Sequence, residues 1–107
     1  MENITIEAKA VQSFTVNKND FRYDFTLRFI GNDTMIYDLS IDEQPVIQGA
    51  QFVVGEMMLP YKYQEKDGNF ILYVPDDATP DYTEFGQSQF LRYLTASEAQ
   101  EVRNARA

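Results

Sequence analysis

The sequence predicts an all-β fold, a small and mainly antiparallel sandwich or barrel, with a short C-terminal helix. Three observations carry that expectation. Two runs between Phe21 and Ile41 alternate apolar and polar residues with a single misfit, β-branched and aromatic residues recur in short segments elsewhere, and Gly, Asn and Asp cluster between the segments. Only the C-terminal stretch abandons this pattern, where Ala96, Ala99 and Val102 recur at threefold spacing.

Asn3 to Val16 holds two alternating pieces, Ile4-Thr5-Ile6 and Val11 to Val16, rich enough in β-branched residues to form strands. Asn17-Lys18-Asn19-Asp20 is a polar turn into the next strand, which suggests a meander. In that strand Phe21, Tyr23, Phe25, Leu27 and Phe29 share one face while Arg22, Asp24, Thr26 and Arg28 share the other. Met35, Tyr37, Leu39 and Ile41 repeat the pattern after a five-residue loop, Ile30 to Thr34, and Ile36 is the one misfit. Keeping both apolar sets on one face requires Phe29 opposite Met35, Leu27 opposite Tyr37, Phe25 opposite Leu39 and Tyr23 opposite Ile41, or a shift of two from these. The same register sets Arg22 opposite Asp42 on the wet face.

Asp42-Glu43-Gln44 is a turn, and Pro45 marks a strand start or a sheet edge because it has no amide to donate. Val46, Ile47 and Phe52 to Val54, interrupted by Gly49, fit either one bulged strand or two short ones. Gly55 to Tyr61 places Met57, Met58 and Leu59 between breakers. Such a run is either a loop buried in the core or an adaptable docking loop, and the exposure of the two methionines separates these readings. Gln64 to Asn69 is a turn centred on Asp67-Gly68. Phe70 to Val74 is a continuous apolar strand, expected to be central and covered on both faces or buried on assembly. Phe90 to Leu94 is the last strand. Thr95 and Glu98 have capping-box spacing ahead of a helix whose acidic residues come early and basic residues late. Residues 95–107 therefore form a short helical extension on a single domain, 1–107. Its apolar stripe is thin, so it rests on its own domain or orders against a neighbour.

Composition removes several chemistries. With no cysteine and no histidine among 107 residues, there is no thiol nucleophile, Cys/His zinc site, Ser-His-Asp triad or disulfide framework. A formal charge of -8 repels nucleic-acid phosphates, so direct nucleic-acid binding is not expected. No apolar run reaches the ~20 residues of a membrane span, and the first residues lack the basic and apolar regions of a signal peptide, so a soluble chain made in the cytoplasm is expected. The acidic stretch with Asp76, Asp77, Asp81 and Glu84 fits no EF-hand spacing and reads as a solvated loop. No catalytic, cofactor or metal residues are assigned.

Phe21 to Phe29 with Met35 to Leu39, then Pro45-Val46-Ile47-Gln48-Gly49, Gly55 to Leu59, Gly68 to Val74, and Phe85-Gly86 leading to Phe90 to Leu94 follow one another in a characteristic order. In that order the chain resembles the small baseplate plug proteins of contractile-tailed phages, of the kind found in a minimal cyanophage myovirus. It implies a non-enzymatic virion part in the tail baseplate, contacting the hub or tail tube and helping to join the central axis to surrounding wedge proteins. Several symmetry-related copies are then expected. The acidic loop and the terminal helix, from Thr95 onward, lie outside the resemblance. From the residues themselves, Met57, Met58, Leu59, Ala99 and Val102 are the expected partner contacts. The rival reading is a carbohydrate-binding β-sandwich module, which requires Tyr61, Tyr63 and Tyr82 in an exposed coplanar row.

Overall fold

Alternation decides the architecture. In the computed structural model, which describes residues 2–75 and 78–106, the two alternating runs pair as antiparallel strands β3 (Phe21–Phe29) and β4 (Met35–Ile41). Their register is the one that the apolar faces require, Tyr23 opposite Ile41 through to Phe29 opposite Met35. β2 (Val11–Lys18) joins β3 through a two-residue turn, Asn19-Asp20, and β5 (Gln44–Gln51) joins β4 through Asp42-Glu43. Both residues of each turn have positive φ, between 49° and 71°, the geometry that matches the twist of a tight hairpin. Asn and Asp tolerate it better than most residues. The result is a four-stranded meander, β2-β3-β4-β5.

A second antiparallel sheet has the order β1-β7-β6, with β1 (Glu2–Ile4), β6 (Asn69–Tyr73) and β7 (Phe90–Leu94). The two sheets face each other and do not close into a barrel, so the fold is the sandwich. Phe70 of β6 is the centrepiece of the interface. Its ring lies 4.9 Å from Tyr23 and 4.9 Å from Phe25, both edge-on, and 5.5 Å from Tyr93. Edge-to-face rings set the negative face of one against the positive rim of another, worth about 0.5–1.5 kcal/mol per pair beyond area burial.

Several details differ from the sequence expectation. Arg22 meets Asp42 through its backbone: the Arg22 amide donates to the Asp42 carboxylate at 2.8 Å and the Asp42 amide returns to the Arg22 carbonyl at 2.8 Å. The guanidinium turns instead to Asp24 and Glu43. Pro45 does lie in an edge strand, and β5 is one bulged strand that stops at Gln51, leaving Phe52 to Val54 outside it. β6 is an edge strand of its sheet and β7 is central. The run from Phe70 is nevertheless apolar on both sides, because Phe70 and Leu72 enter the sandwich core while Ile71 packs outward against Met57.

That outer face is covered by the helix α1 (Ala96–Arg106). Its capping box is formed: the Glu98 amide donates to Thr95 Oγ1 at 3.2 Å, and the Thr95 amide to Glu98 Oε1 at 2.9 Å. Ala99 is fully buried against Leu94 and Met57, with Val102 beside them. The helix therefore rests on its own domain.

Candidate assembly interface

The expected contact residues lie within the chain's own packing. Met57, Met58, Leu59 and Ala99 are all buried within the chain, and Val102 is half-buried. Their surroundings explain this. The Met58 amide donates to the Phe70 carbonyl at 2.7 Å, the Tyr37 hydroxyl donates to the Met58 carbonyl at 2.7 Å, and Met57 bridges to Ile71. Asn69, itself fully buried, holds both backbone groups of Leu59. The segment is thus a core plug for the open edge of β6. The exposure that a docking loop needs is absent at the two methionines, which supports the buried-loop reading.

α1 is fastened to the same segment. Arg103 donates to the carbonyls of Pro60 at 2.8 Å and Leu59 at 3.3 Å, and forms an ion pair with Glu65. The Glu65 carboxylate also accepts from Asn69. One polar cluster therefore ties helix, loop and β6 together.

The exposed apolar residues lie elsewhere. Register brings the start of β2, the end of β3, the start of β4 and the exit of β5 to one end of the four-stranded sheet. The Phe29 amide donates to the Ala10 carbonyl at 2.8 Å and the Phe52 amide to the Met35 carbonyl at 3.1 Å, so these chain ends are locked side by side. Along that end Val11 is 60% exposed, Ile30 58%, Val53 52% and Val54 49%, with Phe29 partly exposed beside them. The row crosses three strand spacings, roughly 14 Å. Tyr82 closes one side by packing on Phe29 at 5.3 Å. Large aliphatic side chains gathered on one rim mark a surface suited to contact with another macromolecule. The sequence pattern puts Val53 and Val54 in a strand; the available signal was Val54 standing, like Ile30, immediately before a turn glycine.

The acidic stretch beside Tyr82 is organised by its own bonds. The Asp81 carboxylate accepts from the Thr83 amide at 3.0 Å and hydroxyl at 2.7 Å. Buried Gln89 accepts from the Asp81 amide at 2.9 Å and donates to the Thr79 carbonyl at 2.8 Å. Asp76 and Asp77 lie outside the described residues. Among the described residues no three acidic side chains come together in a way that could hold a metal ion.

The tyrosine row of the rival reading is not formed. Tyr61 and Tyr63 are exposed, but their rings stack on each other at 5.7 Å and 10°, which hides one face of each, and Tyr82 sits with Phe29 instead. Burial pushes the phenols of Tyr23 and Tyr37 up to about 12; the charges of Tyr93 and Asp67 add to it at Tyr23, and that of Glu56 at Tyr37. Both stay neutral core groups at physiological pH.

Comparison with protein families decides the placement of this sandwich. The family model described as cyanophage baseplate Pam3 plug gp18 matches residues 1–97. The chain belongs to that plug family. The match spans every strand of both sheets and ends in the first turn of α1, so the helix is almost wholly outside it. Plug-family membership places the chain in the virion, in the phage tail baseplate, in association with other baseplate proteins. No curated protein sequence matches it. No helix among the described residues is long and apolar enough to cross a membrane.

Proposed function

We propose that this chain is a non-enzymatic plug that contacts the baseplate hub and tail tube and helps join that central axis to the surrounding wedge proteins, in several symmetry-related copies. The observation that carries the reading is the apolar rim of Val11, Ile30, Val53 and Val54 on a sandwich of the plug family. An acidic chain of net charge -8 gains solubility from self-repulsion, while an uncharged aliphatic rim supplies adhesion once partners meet. The segment from Val53 to Tyr61 serves both ends of this role: Val53, Val54 and Tyr61 face outward, and Met57, Met58 and Leu59 anchor them from beneath. Ala99 and Val102 hold the helix in place, so its opposite face is left for a neighbour.

Photo-crosslinking in assembled tails tests this. A photoreactive residue at Ile30 or Val54 is expected to cross-link to another baseplate protein, whereas the same residue at exposed Gln48 on β5 is not. Equal, partner-free labelling at all three positions would count against the rim as the contact surface.

A further inference from the structure

Sheet edges carry unpaired backbone groups, and this chain treats its edges unequally. On β5, Pro45 removes one donor, a register break interrupts the pairing around Leu39, and the Gly49 amide is turned onto the Asp38 carboxylate at 2.6 Å. Such features blunt an edge against pairing with another chain. β6 is covered by Met57 and Met58, and β1 is only three residues long. β2 is the least protected: eight residues, no proline or glycine, no register break against β3, no charge from Val11 to Asn17, and a preceding segment held to it through the Gln12 side chain on the Glu7 backbone at 3.1 and 2.6 Å, which leaves the outward amides of β2 unbonded.

The phase of β2 follows from its hairpin. The two-residue turn makes Lys18 and Phe21 a hydrogen-bonded pair, so alternation sends the backbone groups of Gln12, Phe14 and Val16 toward β3 and those of Val11, Ser13, Thr15 and Asn17 outward. The bond from the Phe29 amide to the Ala10 carbonyl agrees with that phase. Among the described residues nothing bonds the four outward amides.

We propose that β2 pairs with β2 of a second copy of this chain, antiparallel about a twofold axis at Phe14, joining two four-stranded sheets into one. Self-pairing fits the spacing. With the axis at Phe14, Val11 faces the partner's Asn17 and Ser13 faces the partner's Thr15, so every outward backbone group meets another. It also fits the charge. The seam is uncharged, and its two ends carry the ion pairs Lys18–Glu2 at 2.6 Å and Lys9–Glu7 at 2.7 Å. An antiparallel arrangement lays one mixed pair beside the other, with cations and carboxylates available to both. Phe14 supplies the apolar contact: it stacks on Phe25 at 5.1 Å and lines an open cleft of about 360 Å³ with Thr5, Glu7 and Ser13. In the pair the two Phe14 rings occupy a non-hydrogen-bonded site, where side chains approach closest. This inference rests on the sheet edge and is independent of the plug assignment.

Sedimentation equilibrium of the full chain over a range of concentrations and salt tests it. The expected result is a species of twice the 12.4 kDa chain mass that strengthens as salt rises, because salt screens the repulsion between two chains of net charge -8. Ser13→Pro removes an outward amide, together with the Ser13–Thr26 hydroxyl bond at 3.0 Å, and weakens the association at least about tenfold with the β circular dichroism retained. The Ser13→Glu, Thr15→Glu double variant keeps every amide and weakens it by repulsion along the seam. A wild-type chain that stays monomeric at all concentrations and salts, or a dimer indifferent to both variants, overturns the proposal. So does binding of only a foreign strand at this edge.

Discussion

The side-chain amide of Asn69 forms a two-bond ring with the backbone of Leu59: its nitrogen donates to the Leu59 carbonyl at 2.7 Å and its oxygen accepts from the Leu59 amide at 3.0 Å. Both residues are fully buried, so this ring acts as a backbone-like rung between β6 and a loop that has no strand of its own. Buried backbone groups without partners are costly, and a side chain that mimics a peptide resolves the problem where two segments meet at an irregular angle.

Replacing Asn69 therefore has a defined consequence. Asn69→Ala leaves the Leu59 amide and carbonyl buried without that partner and is expected to destabilise the fold by about 2–4 kcal/mol. Urea unfolding followed by circular dichroism measures it; a loss within about 0.5 kcal/mol, the level of an ordinary surface change, would show that the ring is dispensable.

A single arginine adds the polar fastening of the helix to the apolar contacts of Ala99 and Val102. Glu65 has a side chain only 7% exposed, so Arg103→Ala leaves a buried carboxylate without its cation, takes the arginine donor from the Pro60 carbonyl, and leaves the Leu59 carbonyl with Asn69 alone. The expected destabilisation is about 2–4 kcal/mol, with the double variant Arg103→Ala, Glu65→Ala recovering part of it. Hydrogen exchange is expected to rise first across α1 and residues 59–65. Unchanged protection there would mean that Ala99 and Val102 alone hold the helix.

Alkaline pH probes the core. Tyr23 and Tyr37 ionise near 12 in the folded protein against 10 for the ordinary side chain. Between those values the unfolded chain loses phenolic protons that the folded chain keeps, so stability is full below pH 10 and falls as pH rises through 12. Each phenol withdraws up to about 3 kcal/mol over that window. Urea midpoints measured at pH 9 and pH 11.5 should fall accordingly, and less steeply in Tyr37→Phe; a pH-independent midpoint would contradict the assigned burial.

Local pattern made the hairpin legible, since Phe21 to Phe29 and Met35 to Ile41 permit few registers with both apolar faces inward. The helix start was legible for the same reason, its capping box being a short-range device. What stayed hidden depends on long-range contacts. Whether Met57 and Met58 were core or surface turned on β6 being an edge that needs a cover, which a run of apolar letters does not encode. Arg103 reads as a helix-dipole cation, yet its partners lie some forty residues away at Leu59 and Pro60. Arg22 and Asp42 were correctly paired but through the backbone, because Asp42 sits at a positive-φ turn position that draws its carboxylate onto an amide. The apolar rim was missed because Val53 and Val54 look like strand residues, and nothing local shows that the pairing of β5 stops at Gln51.

A cryo-EM reconstruction of the assembled phage tail, at a resolution that separates β-strands, would show what the rim touches. The expected map holds this sandwich within the baseplate, with Val11, Ile30, Val53 and Val54 packed against another baseplate protein. A baseplate without the chain, or one in which that rim faces open solvent, would contradict it.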